Sequence, residues 1–389
     1  MKHLSLPAIL AVLLLTTGGF QPAMATGAMA QATGAAASTA ATQAQVLRQA
    51  PAPGLYQLAY SPRQNLLYVV SAGGSGEAGE PSKLLWLDPD TLRVVGELAL
   101  PQRGFGVALD DGGDRLYIGN SVDGSITVVD TQAKQISRVL QLAQKVEARG
   151  RDGKMRPRPA YMFRELVFDA PRQRLYLPGL SREDSTLFVV DTKALRLDKT
   201  VTGFGAAATG IALSPKGDTL YVSNLAGQLY LVDPDTLQIR KQVKVDGKQL
   251  LNLAFDAKHH QVLAIDQGSA SPEANPGQSK EQAAADRAHG NRLVVIDAGD
   301  GKTVGHIATG QGPVALLLDE ARNRLYVTNR GSGTVTIHDS SNRQLLRTVD
   351  LPTHPNSLAL NPTTGAVYVT IKNGRGEAKG NESVARILP

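Results

Sequence analysis

The stretch "PVALLLDEARNRLYVTNRGSGTVTIHD", Pro313 to Asp339, decides the fold. It reads as an apolar strand, a turn, a strand built on Leu-Tyr-Val, a loop, and a third strand closed by Asp. The same plan recurs in "FGVALDDGGDRLYIGNSVDGSITVVD" (Phe105–Asp130) and "TGIALSPKGDTLYVSNLAGQLYLVD" (Thr209–Asp233). A fourth strand follows each, as in "ISRVLQL", "LQIRKQVKV" and "QLLRTVDL". The tyrosine returns at Tyr68, Tyr117, Tyr176, Tyr221, Tyr326 and Tyr368, with Leu263 in its place once. The closing aspartate returns at Asp88, Asp130, Asp191, Asp233, Asp297 and Asp339; the gaps Asp88–Asp130, Asp191–Asp233 and Asp297–Asp339 are each 42 residues, and the other two are widened by inserted loops.

Four short strands at such a period make one propeller blade. Units begin near Leu55, Phe105, Arg164, Thr209, Leu251, Pro313 and Asn356. The expected fold is all-β, a seven-bladed β-propeller with four-stranded blades. The last unit lacks a fourth strand and has Leu388 where the aspartate should stand. "AQVLRQA" (Ala44–Ala50) is expected to supply that strand, closing the ring and removing an exposed edge. The recurring tyrosines are expected to pack between blades. The aspartates are expected to bond their own turn backbones. None of them is read as catalytic.

The chain has 389 residues, 42% hydrophobic and 20% charged, which suits a folded domain with a large core. Its start does not share the repeat. Lys2, an apolar run from Leu4 to Leu15 and Ala23-Met24-Ala25 read as a secretory signal with a cleavage site near Ala25; Ala28-Met29-Ala30 offers a second one. The expected organisation is a signal peptide over 1–25, a disordered linker over 26–43 and the propeller over 44–389, with the mature protein exported. The run is short for a membrane span, and no later stretch is long enough for one. With no cysteine, disulfides, thiol chemistry and thiolate metal sites are excluded.

Formal net charge is +6, and it is local. "KVEARGRDGKMRPRPAYMFREL" holds seven basic residues from Lys145 to Arg164 against Glu147 and Asp152. Elsewhere the charges nearly balance. In a four-stranded blade the second-to-third and fourth-to-first connections share one face. Every long insertion is of those two kinds: 71–82, 143–163, 268–290 and 372–383. That face is therefore the expected functional face.

The basic stretch, taken as a loop, admits three readings: a solvated charged lip, contact with anionic lipid or envelope polymer, or polyanion binding. In the last, Lys145, Arg149, Arg151, Lys154, Arg156 and Arg158 meet phosphates while Tyr161 and Phe163 offer stacking platforms, a combination that suits single-stranded nucleic acid. Residues expected around the channel mouth are Arg103, Gly104, Phe105, Arg164, Glu165, Thr209, Asn252, Pro313, Thr353, His354 and Asn356, the arginines, threonines, histidine and asparagines as donors; the alternative is that these bond neighbouring backbone. Glu165 is either a general acid or base or an arginine partner. No zinc-spaced histidines, nucleophile elbow or phosphate loop occurs in the sequence. No cofactor and no metal are expected.

"LYVSN" (Leu220–Asn224) and "LYVTN" (Leu325–Asn329) resemble the YVTN β-propeller repeat family. "LPTHPNSLAL" (Leu351–Leu360) and "RELV" (Arg164–Val167) resemble its exported YncE-type members. The resemblance covers the chain from about Val46 to its end. It implies a periplasmic seven-bladed propeller without established enzymatic activity that binds single-stranded DNA at the channel-mouth face. Residue by residue it carries over Arg164, Glu165, Thr353, His354, Pro355 and Asn356. The 268–290 insertion departs from the family pattern. The leading expectation is thus a non-enzymatic binding protein for single-stranded DNA or another polyanion. An envelope protein-interaction scaffold and a lactonase-like propeller hydrolase are the alternatives.

Overall fold

The structure, a computed structural model, describes residues 46–74, 79–149, 153–268, 290–352, 354–374 and 380–389. The signal and linker expectations, Arg151, Thr353 and most of the 268–290 insertion lie outside the described residues. Among the described residues no helix is long and apolar enough to cross a membrane.

The strands form seven four-layered blades. Blade 1 holds β2 (Leu55–Ser61), β3 (Leu66–Ser71), β4 (Lys83–Leu87) and β5 (Val94–Ala99). Blade 2 holds β6 (Val107–Asp110), β7 (Arg115–Asn120), β8 (Ser125–Asp130) and β9 (Gln135–Gln141). A separate hairpin follows, β10 (Lys145–Arg149) and β11 (Met155–Pro159). In blade 3 the inner strand is split into β12 (Met162–Phe163) and β13 (Val167–Asp169), followed by β14 (Arg174–Leu180), β15 (Thr186–Asp191) and β16 (Arg196–Val201). Blade 4 is β17 (Ala208–Leu213), β18 (Leu220–Asn224), β19 (Gln228–Val232) and β20 (Ile239–Lys244). Blade 5 is β21 (Leu250–Asp256), β22 (Gln261–Asp266), β23 (Arg292–Asp297) and β24 (Thr303–Ala308). Blade 6 is β25 (Pro313–Asp319), β26 (Arg324–Asn329), β27 (Thr334–Asp339) and β28 (Leu345–Asp350). Blade 7 has β29 (Pro355–Leu360), β30 (Val367–Ile371) and β31 (Glu382–Ile387) from the end of the chain. Its outer strand is β1 (Val46–Ala52), which pairs antiparallel with β31, Val46 opposite Ile387. The strand expected from the N-terminal side is therefore in place.

The core lies between blades. Each buried apolar cluster joins two neighbours around the circle. The pair of blades 1 and 2, for example, shares Val70, Trp86, Ile118 and Val129. Blades 7 and 1 share Tyr368, Val384, Leu55 and Leu67, so the ring has no gap. The repeat tyrosines are all essentially buried in these seams. Burying such a ring contributes about 3 kcal/mol at the usual area coefficient. Some of their hydroxyls reach into adjacent turns: Tyr68 donates to Gln64 Oε1 (2.7 Å) and Tyr221 to the Ala298 carbonyl (2.8 Å). Burial pushes Tyr68 and Tyr221 up to about 12.

The aspartates cap turns as expected. Asp88 Oδ1 accepts from the Asp90 and Thr91 amides, Asp233 Oδ1 from Asp235 and Thr236, and Asp339 Oδ1 from Ser341 and Asn342. The Thr236 amide, with Arg240 in support, holds Asp233 down at about 2. A carboxylate that receives backbone N–H groups is stabilised in its charged form.

Backbone bonds also settle which connections share a face. Ala72 N donates to Gly54 O, Arg330 N to Gly312 O and Lys372 N to His354 O, so second-to-third connections lie beside inner-strand entries. On the other face Thr131 N donates to Asp114 O and Ala298 N to His260 O, joining the short turns.

Candidate functional site

Each inner strand begins with a register break, and those breaks build the channel mouth. In blade 1, Leu55 opposes Ser71 and Leu58 opposes Val69, so Tyr56 and Gln57 share a single partner position. Blade 5 repeats this with Leu251 and Asn252, and blade 7 with Asn356 and Ser357. Blades 4 and 6 insert one residue, Thr209 and Val314. In blade 2, Phe105 N donates to Gly119 O while Gly119 N donates to Gly106 O, two residues against one. In blade 3, Arg164, Glu165 and Leu166 separate the Phe163–Gly179 and Val167–Tyr176 pairs. A β-bulge re-aims side chains. Here it turns residues of every blade toward a shared cavity of about 410 Å³.

Two repeat positions line it. One carries Tyr56, Phe105, Arg164, Thr209, Leu251, Val314 and Asn356. The next carries Gln57, Gly106, Glu165, Asn252, Ala315 and Ser357, with Gly210 at the equivalent place in blade 4 but outside the lining: large polar groups on blades 1, 3 and 5 and small residues between them. The two glycines are required by close approach. A Cβ on Gly106 would stand 2.0 Å from Arg164 O, and one on Gly210 2.0 Å from Leu251 O. The exits of the second strands add Arg330 and Lys372.

The three large polar groups meet. Gln57 Nε2 donates to Glu165 Oε1 (2.6 Å) and Asn252 Nδ2 donates to Glu165 Oε2 (3.2 Å). The amide orientations are fixed from behind. Val107 N donates to Gln57 Oε1 (2.8 Å), and Leu316 N donates to Asn252 Oδ1 (3.3 Å). An oxygen that accepts a backbone N–H forces the amide nitrogen toward the carboxylate. Five blades thus tie one carboxylate to the channel. Glu165 is half-buried by surface area, yet cavity walls surround it. Burial pushes its carboxyl up to about 7, against the pull of the Gln57 amide, Arg164 and the Asn252 amide.

The cations differ in exposure. Arg164 is exposed at the mouth. Lys372 Nζ donates to Leu55 O (2.7 Å), pairs with Glu382 Oε2 (3.1 Å) and lies 4.0 Å over the Tyr56 ring. Its burial pulls its ammonium below the usual lysine range. Tyr56 also packs edge-on against Phe105, 4.4 Å between centroids.

Several expected site residues take other roles. Arg103 donates to Ala72 O (3.0 Å) and Gly74 O, pinning a loop, and it does not line the cavity. His354 sits at φ +73° with Nδ1 3.1 Å from Arg330 O, also outside the lining. Thr209, Asn252 and Asn356 do line it. Phe163 is corrected outright as a stacking platform. It is fully buried, edge-on to Phe188 at 5.0 Å, and its carbonyl accepts from Ser121 Oγ (2.5 Å). Tyr161 packs edge-on against the same Phe188 at 5.2 Å, with its hydroxyl accepting from Thr186 Oγ1 (3.2 Å). Phe163 anchors the hairpin base because β12 pairs with β14, which draws its ring into the seam, while Tyr161 beside it stays partly buried. Among the described residues, the aromatics that line the cavity are Tyr56 and Phe105.

The basic stretch is a hairpin, not an irregular loop. Ala160 N donates to Gln144 O at its base, and Lys145 Nζ lies 3.1 Å from Asp123. Ser121 and Asp123 belong to the second-to-third connection of blade 2, so the hairpin rises from the channel-mouth face. Pairing sorts its cations. Lys145 opposes Pro159 and Arg149 opposes Met155, whereas Val146 opposes Arg158 and Ala148 opposes Arg156. Opposed residues share a face. Lys145 and Arg149 therefore lie on one side, Arg156 and Arg158 on the other. Arg149, Lys154, Arg156 and Arg158 are all exposed. The Gln144–Ala160 bond places the nitrogens of Pro157 and Pro159 on the outer edge, where no donor is available for strand addition.

Gln57, Tyr56, Arg330 and Lys372 escaped the sequence reading. Gln57 was within reach. It stands four residues before the turn residue Ser61, as Glu165 stands before Asp169 and Asn252 before Asp256.

No family model matches the chain. It is 29% identical over 331 residues to the YncE protein of Salmonella typhimurium, covering 84% of this chain and 85% of that one. It is 29% identical over 359 residues to YncE of Escherichia coli strain K12, covering 90% and 93%. Among solved structures, Kuenenia stuttgartiensis hydrazine synthase is similar in fold, with a TM-score of 0.63, 16% identity, and 82% and 92% of the two chains covered. With seven closed blades and this similarity along most of its length, the chain is a YncE-like β-propeller protein.

Proposed function

We propose that this is a non-enzymatic binding protein of the periplasm whose channel-mouth face takes a polyanion, with single-stranded DNA the best candidate. The observation that carries the reading is the exposed basic hairpin beside the cavity. A strand running from hairpin to mouth meets Arg156 and Arg158, or Lys145 and Arg149, and then Arg164. Tyr56 and Phe105 replace Phe163 as ring surfaces for bases, beside the partly exposed Tyr161. Cations that follow a backbone and rings that accept any base give binding without sequence preference. Phosphate contacts release counterions, so affinity must fall with salt. Fluorescence anisotropy of a labelled single-stranded oligonucleotide over a salt series tests this; no binding at low salt would move the weight to an envelope protein partner.

One observation favours hydrolysis instead. Glu165, held near neutrality in a cavity, has the character of a general acid or base. Turnover of lactone or ester substrates that Glu165→Gln abolishes would select that reading over the binder.

A further inference from the structure

The cavity contains an arrangement that phosphate-backbone binding at the hairpin does not use. Arg164, Arg330, Lys372 and Glu165 are its charged lining groups. Glu382 balances Lys372 from behind. On Glu165 itself, β2 presents Gln57, β21 presents Asn252, and the adjacent residue presents Arg164. As an ionised group, Glu165 accepts one N–H on each oxygen and retains unused acceptor positions. Its charge then opposes any anion drawn in by the arginines. Protonated, the same group gains an O–H donor and keeps acceptor capacity for both amides.

We propose that the channel cavity binds a small free anion together with one proton, which Glu165 takes from solvent and donates as a hydrogen bond to the anion while Arg164 and Arg330 balance its charge. The proton balance is simple: one proton leaves the buffer, Glu165 becomes neutral, and no covalent bond of the anion changes. The amides of Gln57 and Asn252 keep the carboxyl aimed into the cavity in both states. Burial already holds Glu165 at about 7, so the proton is within reach at neutral pH.

Sulfate is the probe, because it does not titrate near neutrality. Calorimetry of sulfate binding to the mature protein, in buffers of different ionisation heat, should show uptake approaching one proton per sulfate at pH 8. Affinity should fall as pH rises above about 7, by up to about tenfold per pH unit, as one-proton linkage requires. Glu165→Gln should remove the pH dependence, and Arg164→Ser should weaken binding at every pH. If Glu165→Gln does not fold, carboxyl carbon NMR of the unaltered protein decides: at pH 8 sulfate should move the Glu165 resonance to its protonated position. Sulfate binding without proton uptake, or no sulfate binding at low ionic strength, overturns the proposal. A protein with the hairpin cations changed to Ser should keep the proton-linked binding; its disappearance there would place sulfate on the hairpin and equally overturn the cavity site. Failure of oligonucleotide binding alone would leave this site standing.

Discussion

Glu165 shows how much one side chain can be governed by partners distant in sequence. Its amide neighbours lie 108 and 87 residues away, and only the ring brings them together. Its carboxyl is raised from 4.5 to about 7, so between those values the folded chain holds a proton that the unfolded chain has released. Stability must therefore decline as pH rises from about 4.5 to about 7, by on the order of 2 kcal/mol. Urea unfolding of Glu165→Gln should lack that decline; superimposable pH profiles for the two proteins would argue against the raised carboxyl. His338 works in the opposite sense. It is buried, neither ring nitrogen has a hydrogen-bond partner among the described residues, and burial lowers its affinity for protons despite the nearby Arg343 backbone. The unfolded chain then binds the extra proton, so its contribution is present above the ordinary value of 6.5 and fades below it. His338→Leu should change stability by less than about 1 kcal/mol at pH 8 and stabilise at pH 5. A large destabilisation at pH 8 would reveal a partner for the ring. Gly106 is a third test. With Arg164 O only 2.0 Å from a built Cβ, Gly106→Ala should cost about 1–3 kcal/mol in chemical denaturation, the usual range for overpacking.

At the level of elements, the hairpin and the closing strand make contrasting predictions. β10 and β11 pair only with each other. Replacing 145–159 by a short Gly-Ser link should leave the melting temperature nearly unchanged. β1 completes blade 7 and covers β31, so removing 46–52 bares a strand edge and takes away the backbone pairing that ties the two ends of the propeller together. That truncation should lower the melting temperature by several degrees and promote association in light scattering; a monomer of unchanged stability would mean that β1 is dispensable. The blade strands were legible in the sequence because they alternate with a period of two and all but one blade add a second-strand tyrosine, and all but one an aspartate closing the third strand. The hairpin was not, since its alternation is of cations and prolines with little apolar signal. Phe163 was misread for a related reason. Its burial depends on pairing with Gly179, across a turn and a strand, and no local pattern marks that pairing.

For the whole molecule, the repeat determines more than architecture. It places two columns of side chains around one axis, so polar residues that look unrelated along the chain become neighbours. Arg164, Glu165, Thr209, Asn252 and Asn356 were legible as mouth residues because they stand at inner-strand starts. Gln57 was legible from its place four residues before Ser61, whereas Arg330 and Lys372, at second-strand exits, join the mouth only through the fold. The cavity is polar and held by hydrogen bonds from five blades, while the excess positive charge of the protein is concentrated on one projecting hairpin. In the binding role proposed above, long-range attraction and close recognition would be separated: the hairpin would supply the field, and the bulge ring the fit.

Anisotropy of a labelled single-stranded oligonucleotide tests this division most directly, measured over a salt series with the unaltered protein and with Lys145, Arg149, Arg151, Lys154, Arg156 and Arg158 changed to Ser. Affinity that falls linearly on logarithmic axes with salt, and a slope that shrinks in the variant by roughly 0.7 for each phosphate no longer neutralised, is the predicted result. Equal slopes for the two proteins, or no binding at low salt, would contradict it.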